Sequence, residues 1–303
     1  MAPLPPILGC GNFGGIGSAP AFFDRGETRE EAFAIMDAAW ALGLDWFDTA
    51  DAYGGGRSEA WIGEWMRSTG NRPRLTTKTY NPMEAGADHG LARDRVRRQL
   101  ETSLERLGVD RVDLYLAHEH DPDVPAADMV ATFEELLGEG AIGAWGVSNF
   151  NATQLRDVLE HGRPAVLQNS YSLLDRGDEE EVLPLCDEHG IAYQAFGPLA
   201  GGWLTGKYRR GEPAPAGSRM TMRPEPYRQF EDERVYAGIE ALERAAVERG
   251  VSVAGLALAW VTSSVTAVVG PRRPKQLEPV RKAASLSLSP AERDELASLF
   301  TRP

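Results

Sequence analysis

Apolar runs of strand length alternate with segments of helical period about eight times along this 303-residue chain, and no other feature narrows its fold as far. The candidate strands centre on residues 7–11, 45–49, 75–79, 112–118, 143–149, 166–171, 191–197 and 267–271. The amphipathic segments cover 28–42, 57–67, 91–107, 127–138, 151–161, 178–189, 232–249 and 274–284. A strand followed each time by a helix can pair in parallel with the next, and eight such units imply a sheet closed on itself: a parallel (β/α)8 TIM barrel of the α/β class. One barrel accounts for the length, so residues 1–303 are expected to form a single domain.

Local punctuation agrees with this reading. Thr28 with Glu31 is a capping box, Ser289-Pro290 with Glu292 opens a further helix after the eighth unit, and another extra helix is expected over 252–263. His161-Gly162 and His189-Gly190 read as helix ends that feed the next strands. Residues 209–231, rich in Pro, Gly and Arg, read as a long loop after strand seven, lying over the mouth where the C-terminal strand ends converge.

Composition narrows the partners. A formal charge of −13 and a pI near 5.0 argue against nucleic acid or an anionic membrane, both of which reward a basic face. Cys10 and Cys186 stand far apart in apolar stretches and are expected as buried, reduced thiols. No run approaches the ~18 apolar residues of a membrane span, and the opening MAPLPPILG lacks the basic and apolar regions of a secretion signal, so cytoplasm is the expected location.

Four polar residues, Asp48, Tyr53, Lys78 and His118, follow apolar runs in DWFDTADAYGGG, LTTKTY and DLYLAHEHD. In a barrel the C-terminal strand ends all open on one mouth, which brings these four residues from three strand ends together. A phenol titrates near 10 and donates its proton poorly at neutral pH, whereas a neighbouring ammonium favours the phenolate and lowers that value. Lys78, held by Asp48, is thus expected to tune Tyr53 towards working pH as a general acid or base, with His118 orienting a substrate oxygen. Taken singly, Asp48 is also compatible with an Asx turn and Tyr53 with packing beside a glycine turn, but an ammonium facing into a barrel is costly without a partner.

The motifs FDTADAYGGG, TKTY, DLYLAH, GVSNF, LQNSYSLLDR and GPLAGGWLTGKY, in this order, resemble those of the aldo-keto reductase family over nearly the whole chain. The resemblance implies hydride transfer between NADPH and a carbonyl carbon, with tyrosine as proton donor and Asp48, Tyr53, Lys78 and His118 at the positions of the family's catalytic tetrad. It implies that Ser148, Asn149 and Gln168 hydrogen-bond the nicotinamide carboxamide, although Asn149 also reads as a helix N-cap. It places Phe196 on the nicotinamide ring, where tyrosine is usual, and Gly197, Leu199, Gly202 and Leu204 in the loop that approaches the pyrophosphate.

The segment GPRRPKQLEPV, which contains Gly270 and Gln276, follows strand eight and opens a helix, an anion-binding arrangement in its own right. Arg272 and Arg273 are the candidates for a 2′-phosphate, which would favour NADPH over NADH, with NADH as the second possible cofactor. Pro279-Val280 stands where the family has a Glu-Asn pair that contacts adenine. Glu119-His120-Asp121 is more polar than the aromatic residues usual in relatives acting on hydrophobic carbonyls, so a small or oxygenated aldehyde, ketone or sugar, or the matching alcohol, is the expected substrate. Phe13, Phe22, Phe23, Tyr80 and the 209–231 loop are candidates to wall its pocket. Two rival readings are a cofactor-binding channel subunit with little turnover, and a metal-dependent hydrolase built on His118-x-His120 with His89 near the mouth.

Overall fold

The computed structural model describes residues 5–84, 86 and 88–300, so the first four residues of the opening segment lie outside the described residues. Eight parallel strands close into a barrel in chain order: β1 (Ile7–Gly9), β2 (Trp46–Asp48), β3 (Arg74–Thr79), β4 (Leu114–Ala117), β5 (Trp145–Ser148), β6 (Val166–Ser170), β7 (Ala192–Phe196) and β8 (Thr266–Val269). Leu8 pairs with Phe47 on one side and Val269 on the other, which closes the ring. The helices are α1 (Arg29–Ala41), α2 (Arg57–Thr69), α3 (Arg93–Leu107), α4 (Ala126–Gly138), α5 (Ala152–Leu159), α6 (Val182–His189), α7 (Arg219–Met222), α8 (Glu233–Glu248), α9 (Val253–Thr262), α10 (Glu278–Ala283) and α11 (Pro290–Ser298).

The expected (β/α)8 barrel is present, with extra helices α9 and α11 near its C-terminus. Both expected capping boxes form, Thr28 with Glu31 ahead of α1 and Ser289 with Glu292 ahead of α11. The cap of α5 is Asn151, paired with Gln154, and not Asn149. Most strands are shorter than their apolar runs, as with β4 inside 112–118, because the flanking residues are apolar for packing while their backbones already turn. The 209–231 segment is more ordered than a loop: it contains α7 and a 3-10 turn over Glu225–Phe230. Cys10 and Cys186 are both buried and unpaired. Among the described residues, no single helix is long and apolar enough to cross a membrane.

Strand register assigns each side chain to the barrel interior or to the helices. Thr76 lies beside Leu114 and Lys78 beside Leu116, so these four share one face. Leu114, Leu116 and Val166 form a small apolar cluster with Trp46 and Ala144, distinct from the main core of Phe47, Trp65, Tyr115, Phe133 and Trp145. The alternate residues point the other way: Thr77 donates to Glu59 on α2 at 2.6 Å, and Thr79 meets Arg95 on α3 at 3.0 Å. Lys78 therefore stands on an apolar floor inside the barrel, with no helix to carry its charge to water.

Candidate active site

Asp48 ends β2, Lys78 is the next-to-last residue of β3 and His118 follows β4. Tyr53 opens a 3-10 turn in which Gly54, Gly55 and Gly56 all have left-handed φ, from +59° to +90°. The turn needs glycine at 54, since a Cβ there would lie 2.5 Å from Phe13 O in addition to the backbone strain. These turns bring the four residues together as the sequence implies. Lys78 Nζ donates to Asp48 Oδ1 at 2.5 Å, to Thr49 O at 2.9 Å and to Tyr53 Oη at 3.3 Å. Tyr53 Oη lies 3.5 Å from His118 Nε2, and the two rings meet edge to face at 5.5 Å. Asp48 Oδ2 accepts from Gln168 Nε2 at 2.8 Å, and the same nitrogen donates to Gln194 Oε1 at 3.0 Å.

Burial alone would lower the Lys78 ammonium, but Asp48 and then Tyr53 outweigh it and hold it above its ordinary range. Lys78 lowers the Tyr53 phenol as expected, but the net shift is upward, away from working pH. Burial of the phenol is the larger influence and raises it, Lys78 pulls it down by less, and Asp48, which neutralises Lys78, pushes it up again. His118 is held well below its usual value by burial and then by the Lys78 charge, so its imidazole is neutral at pH 7. Its Nδ1 is buried without a hydrogen-bond partner among the described residues.

The residues assigned to the cofactor divide. Asn149, at φ +59°, donates from Nδ2 to His118 O at 2.9 Å, to Glu119 Oε1 at 3.1 Å and to Ser148 Oγ at 3.3 Å. Gln168 serves Asp48, as described. Phe196 ends β7 and is half-buried. Gly197, Gly201 and Gly202 have φ of +64°, +63° and +95°, and a Cβ at Gly202 would fall on Lys207 Nζ, so this loop presents backbone and an ammonium where side chains are excluded. Leu199 packs beside the core, and Leu204 is wholly buried in it. Beyond β8, Gly270 adjoins Asn12. The backbone N–H groups of Arg272 and Arg273 both donate to Gln276 Oε1, at 2.6 and 3.2 Å. The expected helix start is a 3-10 turn over Pro274–Leu277, and Gln276 already caps it.

Arg272 is engaged as well, its Nε 2.5 Å from Glu27 Oε1 and its Nη1 2.5 Å from Gly217 O. Sequence reasoning missed Asn12, Glu27, Lys207 and Arg219, which converge on Arg272 from the connections after β1 and β7. Arg219 donates to Asn12 Oδ1, and burial followed by the charges of Arg219 and Arg272 depresses the Lys207 ammonium. Lys207 stood in the quoted GKY motif and Arg219 in the Arg-rich 209–231 segment, so both carried a signal; Glu27 carried none beyond preceding a cap.

Of the polar trio after His118, only Glu119 faces the site, and burial pushes its carboxyl up to about 7. His120 packs edge to face on Phe150, and Asp121 Oδ2 accepts from the backbone of Leu91 at 2.7 Å. Phe13 is core, Phe23 lies over Gly55, and Tyr80 meets His89 edge to face. His118 and His120 thus do not converge. Among the described residues, the acidic and histidine groups close enough to share an ion are Asp157, Glu160 and His161, exposed at the end of α5 and away from the mouth.

An ion-paired lysine, a phenol and a neutral imidazole thus meet at the mouth of a closed eight-stranded parallel barrel. The chain belongs to the aldo/keto reductase family, whose sequence model matches residues 8–300. It is 33% identical to a probable voltage-gated potassium channel subunit beta of Oryza sativa subsp. japonica, over 78% of this chain and 75% of that protein. It is 29% identical to the NADH-specific methylglyoxal reductase of Escherichia coli (strain K12), over 91% of this chain and 89% of that protein. Among solved structures, it resembles the glycerol dehydrogenase of Gluconobacter oxydans, with a TM-score of 0.83 and 28% identity, over 97% of this chain and 90% of that one.

Proposed function

We propose that the protein reduces a small or oxygenated aldehyde, ketone or sugar, or oxidises the matching alcohol, with Tyr53 as general acid or base. The observation that carries this reading is the contact of Tyr53 Oη with both Lys78 Nζ and His118 Nε2, at 3.3 and 3.5 Å, at the barrel mouth. A carbonyl oxygen placed against Tyr53 and His118 receives a hydrogen bond from each, with the neutral His118 donating through Nε2. As negative charge develops on that oxygen, Tyr53 gives up its proton, and Lys78 beside it stabilises the phenolate left behind. Asp48, fastened by Gln168, keeps Lys78 charged and in place. In the reverse direction the phenolate takes the alcohol proton.

A bound dihydronicotinamide would supply the hydride. The chain suits such a cofactor: the left-handed Gly201 and Gly202 expose backbone beside Lys207, and Arg219 Nη1 is buried without a hydrogen-bond partner among the described residues. We assign NADPH, with NADH also accepted, and expect Ser148, Asn149 and Phe196 at the nicotinamide end and Lys207, Arg219 and Arg273 at the phosphates. The test is fluorescence titration with each cofactor, followed by turnover with methylglyoxal or another reactive aldehyde. Tyr53→Phe should lower turnover by ~10² or more and leave NADPH binding nearly unchanged. Equal turnover in that variant would sink the assignment, and sustained cofactor binding without any aldehyde turnover would favour a regulatory subunit instead.

A further inference from the structure

Between the ends of β1 and β8 lies a charged cluster for which proton transfer has no use. Glu27, the residue before the α1 cap, is only 3% exposed. One of its oxygens is tied to Arg272 Nε, whereas Oε2 is buried with no partner among the described residues. Its backbone N–H donates to Asn12 O at 2.8 Å, and the Asn12 side chain accepts from Arg219. Arg219 and Arg272 are close enough that each charge weakens the Lys207 ammonium, after burial has done so. Among the described residues, Glu27 is the carboxylate in ion-pair contact with this group of three cations.

Three cations gathered at a barrel mouth suit a phosphate, yet this group carries its own anion. A carboxylate with a free oxygen accepts a hydrogen bond from a hydroxyl and repels a phosphate, since it has acceptors only. NADH and NADPH differ at one place, a 2′-hydroxyl against a 2′-phosphate on the adenosine ribose, and an acidic side chain there is a known physical means of telling them apart. We propose that Glu27 sets the cofactor choice of this chain: its carboxylate occupies Arg272 and sets a negative charge beside any phosphate bound there, which narrows the margin by which NADPH is preferred over NADH. This inference rests on the nicotinamide reading given above. Arg273, whose side chain extends into solvent on the same turn, remains available to a phosphate.

The test uses the full chain and reads binding: fluorescence titration with NADPH and with NADH, for the unaltered protein, Glu27→Gln and Arg272→Met. Glu27→Gln should raise the NADPH-to-NADH affinity ratio at least about tenfold, because Arg272 is released and a repelling charge is lost. Arg272→Met should lower the ratio by a similar factor, because the carboxylate then faces the phosphate without its guanidinium. A ratio unchanged in either variant overturns the proposal, and should Glu27→Gln fail to fold, Arg272→Met decides alone. If the unaltered chain binds neither cofactor, the nicotinamide reading fails and this proposal falls with it; a failure of the proposal alone shows as tight binding of both cofactors with an immovable ratio.

Discussion

Replacing Lys78 by Met removes a charge from the barrel interior and keeps most of the side chain's length. Lys78 is wholly buried and Asp48 is 4% exposed, so neither charge reaches water. The substitution deletes the contacts to Asp48, Thr49 and Tyr53 at 2.5, 2.9 and 3.3 Å, and leaves Asp48 with Gln168 as its sole side-chain donor among the described residues. Removing one partner of a buried ion pair costs about 3–5 kcal/mol, most of it the penalty of the stranded charge. For a chain of this length that corresponds to a fall in melting temperature of roughly 5–8 °C. Adding Asp48→Asn removes the stranded charge, so the double variant should regain at least about half the loss, a non-additivity that thermal and urea denaturation would both register. The same variant acts on the chemistry with a defined sign. Lys78 is the group that pulls the Tyr53 phenol down, so its loss raises the phenol further and moves any alkaline limb of the pH–rate profile to higher pH. A cost below about 1 kcal/mol, or a double variant no more stable than Lys78→Met alone, would refute the claim that this pair is a buried charge couple.

Two more consequences can be checked by denaturation. Asp51 is wholly buried beside Glu59, and burial followed by that neighbouring charge pushes its carboxyl up to about 7. The folded value lies above the unfolded one near 3.9, so the native state keeps a proton that the unfolded chain releases, and stability drops as pH rises from about 4 to about 7. Asp51→Asn, which can still accept from Thr79, should therefore gain stability over the parent as pH rises, by on the order of 2 kcal/mol at pH 8 against little at pH 4; equal gains at both would contradict the shift. Gly54→Ala imposes strain at φ +59° and a clash with Phe13 O, and should cost about 1–3 kcal/mol while displacing Tyr53, seen as a loss of turnover larger than the loss of folded protein accounts for.

How far the site was legible follows from what each residue depends on. Asp48, Lys78 and His118 sit at the ends of apolar strands, and a parallel barrel sends all such ends to one mouth; their meeting was implied once the period of the chain was read. Tyr53 was reachable because AYGGG marks a sharp turn directly after a strand. The fate of Gln168 was not: its register opposite Gln194, across the barrel from Asp48, exists only once the sheet has closed. Arg272 is a sharper case, since its commitment to Glu27 joins residues 245 positions apart across the closing β1–β8 edge.

By itself the sequence determined the alternation of strand and helix, the capping boxes at Thr28 and Ser289, the glycine turn after Asp48 and the family resemblance that these motifs carry. All of these depend on a residue's own chemistry or on neighbours within a few positions, where backbone geometry does the work. Only the tertiary structure decided the direction of the Tyr53 shift and the pairing of Glu27 with Arg272. A pKa in a protein interior is a contest between loss of water and the charges that replace it, and both are set by how residues from distant strands and loops pack around the group.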